Sequence, residues 1–292
     1  MKLLQRNRRA LGVAGTLFTV AMAVTPLAAH DFWLVPLGFR VDPGQELTVL
    51  GQTSSAFPST VSAVTVDRIA SARIIDAAGE EPLTNLGVAG NSLRIRHRPA
   101  AAGQRVVAVT IHPRSVRESA AAFQNYLVVE GAPEALERLR RENRVPKDSV
   151  TRRYAKYAKS LVTVGRGGPE AWAKIVGHPL EIVPVSAGAP MPGATMAVRL
   201  LFRGRPVADA KLHAGVVPHA TEGELNALAG KEQHVELMTN AQGVAQVPIS
   251  GPGLWNVRTI QIVEADRGSG ADWDTHWATL VFSVDARAPG PR

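Results

Sequence analysis

The chain contains no cysteine, and that absence removes disulfides, thiolate metal centres and the acylated cysteine of a lipoprotein anchor. Any metal site has to be built from nitrogen and oxygen donors. After Val24 no apolar run approaches the roughly 18 residues that span a bilayer. Motifs for nucleophilic or nucleotide chemistry are missing too: there is no Gly-x-Ser-x-Gly elbow, no His-Glu-x-x-His helix and no phosphate-binding glycine loop. Charge of one sign is scarce. The formal +8 falls to +4 once Lys2, Arg6, Arg8 and Arg9 are set aside, too little to recruit nucleic acid, and none is expected as a partner.

Those four basic residues open a leader. An uncharged, mostly apolar run from Ala10 to Val24 follows, and then Pro26-Leu27-Ala28-Ala29, which together read as a secretory signal peptide over residues 1–29. Cleavage after Ala29 puts Leu27 and Ala29 at the positions a peptidase reads, whereas cleavage after Ala28 would put Pro26 at one of them. The mature chain is therefore expected to begin at His30, in the periplasm, with 263 of the 292 residues remaining. That length suits two domains.

A histidine in first position is a two-nitrogen ligand, because its free α-amine and its own Nδ1 can close one chelate ring. The α-amine has an ordinary pKa of about 8, so giving up its proton to a metal at neutral pH costs only about a kcal/mol. Nitrogen pairs of this kind suit Cu(II), Ni(II) and, less selectively, Zn(II).

Residues 30–131 read as an N-terminal β-sandwich. The expected strands are Phe32 to Pro36, Glu46 to Leu50, Ser62 to Val66, Ala72 to Asp76, Ser92 to His97, Arg105 to Ile111 and Asn125 to Val129. Alternation is clearest in Leu93-Arg94-Ile95-Arg96-His97, which turns His97 inward. From Pro133 the period lengthens, and Ala135, Leu136 and Leu139 mark one helix. A second helix is expected from an N-cap at Ser149 through Tyr154, Tyr157, Ala158 and Leu161, with Arg152, Arg153, Lys156 and Lys159 on a solvated face. Residues 132–176 thus read as a helical linker segment. Residues 177–287 return to strands as a C-terminal sandwich, and residues 288–292 read as a disordered tail. The Gly204 to Ala210 segment, followed by Thr239-Asn240-Ala241-Gln242-Gly243, resembles the transthyretin-like or carboxypeptidase-regulatory-like module, a scaffold that says little about chemistry. The fold class expected is mainly β, two β-sandwich domains joined by a short helical segment.

In order and spacing several segments resemble the DUF4198 family of exported bacterial proteins, often labelled relatives of nickel-uptake periplasmic components. They are Ala29-His30-Asp31-Phe32-Trp33-Leu34, Phe123-Gln124-Asn125-Tyr126-Leu127, Arg153 to Leu161, Gly177-His178-Pro179-Leu180-Glu181-Ile182-Val183-Pro184, Gly204 to Ala210, Trp255, and Asp272-Trp273-Asp274-Thr275-His276-Trp277-Ala278-Thr279-Leu280. The resemblance implies two β-rich domains, an N-terminal histidine exposed by export, and a link to transition metals. Only His30 carries over as a direct ligand candidate. Where such proteins often have a histidine near the last long strands, this chain has Gln261.

A tightly held divalent ion wants donors beyond His30. His112, at a strand end before Pro113, and the inward His97 are the first choices for a second imidazole. His276, between Trp273 and Trp277 with Asp272 and Asp274 close by, forms the next-best cluster. His178 falls in the linker, His219 and His234 flank a polar insert, and His213, opposite Leu212, Ala214 and Val216, is expected to face water. The leading expectation is a soluble periplasmic protein that binds a divalent transition metal (Ni, Co, Cu or Zn) through His30, for uptake or delivery to a membrane metal transporter or envelope protein. The alternatives are a non-enzymatic module presenting Trp33, Trp255 and Trp273 to a ligand or partner, and a copper-dependent oxygenase.

Overall fold

Period-two alternation organises most of the chain. The computed structural model describes residues 30–130 and 132–286; the expected signal peptide, position 131 and the end of the chain from 287 lie outside the described residues. The first half supplies β1 (Asp31–Pro36), β2 (Arg40–Val41), β3 (Leu47–Ser54), β4 (Ile69–Ile75), β5 (Glu80–Pro82), β6 (Asn85–Ala89), β7 (Ser92–His97) and the long β8 (Gly103–Glu118). Two helices follow, α1 (Ala120–Val129) and α2 (Pro133–Arg141). The remainder is β9 (Val150–Val164), β10 (Leu180–Pro184), β11 (Thr195–Phe202), β12 (Arg205–Pro206), β13 (Lys211–Val217), β14 (Gln233–Met238), β15 (Val244–Pro248), β16 (Gly253–Glu264) and β17 (Trp273–Val284). The fold is mainly β.

One nine-stranded sheet runs through the middle in the order β14-β13-β16-β17-β9-β8-β4-β5, with β2 added on β9. A four-stranded sheet, β1-β3-β7-β6, covers one face, and a second, in which β10, β12 and β15 all pair with β11, covers the other. The two sandwich cores therefore share a sheet. Phe32, Leu34, Val49 and Ile95 meet Val107, Val109, Ala158 and Val162 on one side, while Ile182, Val198 and Val247 meet Ala214, Val257, Leu280 and Phe282 on the other. The Val, Leu, Ile and Phe side chains among them contribute about 1.5–3 kcal/mol each when fully buried.

β9 corrects the expectation of a helix from Ser149. Tyr154, Tyr157, Ala158 and Leu161 stand at helical spacing, but the segment pairs antiparallel with β8 and parallel with β17, at the centre of the sheet. Three of its four cations are buried rather than solvated, and Arg153 is half-buried. Arg152 and Lys159 are each 1 % exposed and Lys156 is 5 %, and each is tolerated because it has a partner. Arg152 Nε donates to Glu118 at 2.8 Å, with its guanidinium 3.6 Å from the Tyr126 ring centroid. Lys159 Nζ donates to Glu181 at 2.8 Å. Of the expected linker 132–176, only α2 is helical by regular α geometry.

Two shorter expectations also change. Asn125 to Val129 is the last half of α1 rather than a strand, because the Ser119 hydroxyl caps the helix by accepting from Ala122 N at 3.2 Å and three alanines follow. Ser62 to Val66 makes no ladder and leads into a 3-10 turn, Val66–Arg68.

Candidate functional site

The site is where β1 begins. β1 has a hydrogen-bonded ladder on one side, to β3, with Asp31 opposite Ser54; its inner side is held by side chains from the central sheet. Thr279 Oγ1 donates to Phe32 O at 2.7 Å, and Lys156 Nζ donates to His30 O. Every residue of β1 is buried, with Trp33 and Leu34 at 0 % exposure. The Asp-Phe-Trp-Leu-Val-Pro run thus fixes where His30 sits.

His30 and Asp31 line a cleft of about 560 Å³. The end of α1, with Val128, Val129 and Glu130, forms one wall. The β13–β14 ribbon, with Lys211, His213 and Glu236, forms another, and Arg258, Ile260 and Trp277 line the remainder. Arg258 connects these parts. Its Nε lies 3.8 Å from Asp31 Oδ2, its Nη1 donates to Glu232 at 3.4 Å, and it stands directly across the ladder from His213. Glu232 also accepts from Asn256 Nδ2 at 2.5 Å. It can do so because residue 215 is glycine: a Cβ there would fall 2.0 Å from Glu232 Oε1.

Burial sets the protonation of the cleft. It pushes the Asp31 carboxyl up to about 6 against the pull of Arg258 and Lys156, and it pushes Glu130 up to about 7 with help from Asp31. Lys156 is pushed down to about 8, opposed by Asp31. Both imidazoles are lowered by burial first, His30 then also by Lys156 and His213 by Arg258. At neutral pH they are neutral, which is the ligating form. His30 Nδ1 is buried and has no hydrogen-bond partner among the described residues. Such an atom is costly unless something occupies it, and it is the atom that would chelate together with a freed α-amine. Perturbed acids and imidazoles converging in one cleft, with a perturbed lysine on the His30 carbonyl beside it, mark a candidate site on physical grounds.

The other expected donors lie elsewhere. His97 pairs with Leu47, seven residues along β3 from the Ser54 that faces Asp31, a separation of about 23 Å at strand rise. Its Nε2 lies 3.0 Å from Glu81. His112 is exposed beside the bulge between Ile111 and Arg114, and its carbonyl accepts from Arg68. His276 follows Thr275 and precedes Trp277, so it projects from the opposite face of the sheet; its Nδ1 is 3.0 Å from Tyr157 Oη, and burial pushes its pKa down to about 4. The acids near it have structural work: Asp272 accepts from Thr151 N at 2.7 Å, and Asp274 takes both arms of Arg153 at 2.7 Å.

Among the described residues no three His, Asp or Glu side chains converge at metal-ligand spacing. A site that counts an α-amine among its donors needs fewer side chains than that. His213 is the residue that sequence reasoning missed. Alternation placed it correctly away from the core that holds Leu212 and Ala214, but that outer face is walled by the start of β1 and the end of α1 instead of being open to water.

Fold and site together define a β-sandwich protein built on one shared sheet, with a polar cleft at the start of its first strand. The chain belongs to the DUF4198 family, described as a domain of unknown function, whose model matches residues 27–262. No curated protein matches it. Among solved structures, two of Salmonella alpha-2-macroglobulin are similar to it at 11 % identity: a point mutant with a TM-score of 0.23 and a methylamine-reacted form with 0.22. Each alignment covers 87 % of this chain and 15 % of the other, a likeness too slight to carry an argument.

Proposed function

We propose that the mature chain is a periplasmic transition-metal-binding protein that holds a divalent ion as cargo through the α-amine and Nδ1 of His30, for uptake or delivery. The observation that carries this reading is the buried Nδ1 of His30, without a partner among the described residues, on a cleft that also holds Asp31 and Glu130. Cleavage before His30 would free the second nitrogen at the same place. The donors are neutral nitrogen with carboxylate nearby, a set suited to Ni, Co, Cu or Zn and poorly suited to Mg or Ca. The buried carboxylates would offset the charge of a bound dication, and occupation would relieve the cost of the unpaired imidazole nitrogen.

A receiving partner, a membrane metal transporter or another envelope protein, is favoured by Val128 and Val129, which stand 53 % and 67 % exposed on the lip of the cleft. Exposed apolar pairs at the mouth of a site suit a transient docking contact. Trp277 lines the cleft, so its fluorescence reports occupancy. Titration of the processed protein with Ni(II) and Cu(II) is expected to give saturable quenching that a His30→Ala chain lacks. If the variant binds as tightly as wild type, the reading is wrong.

A further inference from the structure

Cleft residues other than His30 include one further imidazole, and its position bears on which metal the cleft would accept. His213 lies on β13 with Arg258 as its Cα partner across the β13–β16 ladder, which puts the two side chains on the same face as neighbours. Arg258 in turn reaches Asp31, the residue after His30, at 3.8 Å. His30 and His213 line the same cleft. On its other side His213 faces Glu236 across the β13–β14 ladder, with its Nδ1 3.9 Å from Glu236 Oε1. With Nδ1 on the Glu236 side, Nε2 is the ring nitrogen that would meet a metal, as when outer carboxylates orient ligating histidines.

We propose that His213 is the third nitrogen donor of the cleft, and that the resulting set of amine and two imidazoles makes copper(II) the preferred cargo. This rests on the reading of His30 as a chelating first residue. Two imidazoles and an amine form a three-donor site with only two ligating side chains. Copper(II) leads the divalent series for nitrogen donors and accepts few ligands in a tetragonal arrangement. Zinc, which wants four tetrahedral donors, gains less from three. The chain has no cysteine to favour softer ions by thiolate.

The test uses the processed protein loaded with one equivalent of copper(II), read by electron paramagnetic resonance and by competition against a chromophoric chelator, with nickel(II) titrated in parallel. Wild type is expected to bind copper at least 100-fold more tightly than nickel, with superhyperfine splitting from three nitrogens. His213→Ala is expected to lose one nitrogen from the spectrum and to weaken copper by more than the roughly 10–100-fold typical of losing an outer partner. His97→Ala, which removes an imidazole far from the cleft, opposite Leu47 on β3's partner strand, is expected to leave both readouts unchanged, and circular dichroism confirms that each variant is folded. A His213→Ala spectrum and affinity equal to wild type, or nickel bound as tightly as copper, overturns the assignment while leaving His30 as a ligand. Undiminished copper binding by His30→Ala overturns the underlying reading instead.

Discussion

Replacing Lys159 by methionine separates the two possible placements of the segment 150–164. In the central strand, Lys159 and Glu181 have side chains 1 % exposed, with Nζ 2.8 Å from Oε1. Glu181 is further held by three backbone donors: Val176 N on Oε1 at 2.8 Å, and Gly177 N and His178 N on Oε2 at 3.0 and 3.2 Å. Methionine fills similar volume but removes the only cation paired with that carboxylate among the described residues. Breaking one side of a buried pair costs about 3–5 kcal/mol. Because the three N–H groups still stabilise the anion, the lower end, about 3 kcal/mol, is expected. For a chain of this length, about 2–4 °C per kcal/mol translates this into a Tm lower by roughly 6–12 °C. Urea unfolding followed by circular dichroism reads the loss directly. On a solvated helical face the same substitution would stay within about 0.5 kcal/mol of wild type, and that result would refute the buried strand.

Three further outcomes follow from the cleft and the buried contacts around it. Burial holds the Glu130 carboxyl up at about 7 from an ordinary 4.5; a raised carboxyl binds more protons folded than unfolded, so its contribution is present at acid pH and is lost as pH climbs from about 4.5 through 7. Glu130→Gln should therefore stabilise the metal-free protein at pH 8, hardly change it at pH 4, and flatten the unfolding curve between; equal effects at both ends would contradict the assignment. Gly215→Ala should destabilise by about 1–3 kcal/mol, the usual cost of overpacking, because its Cβ would displace Glu232 from Asn256 and Arg258; chemical denaturation showing no loss would mean that Glu232 sits elsewhere. Arg152→Met should cost stability through Glu118 and Tyr126 together, and a double variant with Glu118→Gln should recover part of it if the pair is coupled.

How much of this the amino-acid order reveals depends on how local each interaction is. Strands with one apolar face, such as Leu93-Arg94-Ile95, declare themselves by alternation, and the observed β7 coincides with the expected Ser92 to His97. β9 does not, because both of its faces are covered and carry cations, so no alternation of apolar and polar residues survives. Its partners Glu118, Glu181 and the His30 carbonyl come from three separate parts of the chain. α1 is obscured for another reason: its last residues, Tyr-Leu-Val-Val, have the composition of a strand, and the helix signals, the Ser119 cap and three alanines, lie at its start. At the site, His30 is legible from the expected leader that precedes it. His213 is not, since nothing near it in sequence signals that the first strand closes over that face of β13.

The most direct test of the central claim adds a single glycine ahead of His30 in the processed chain, which moves the free amine away while leaving every side chain in place. Copper(II) and nickel(II) titrations of this protein and of the form beginning at His30, followed by tryptophan quenching, should show affinity at least 100-fold weaker when the amine is displaced. Equal affinity of the two forms would contradict chelation by the first residue.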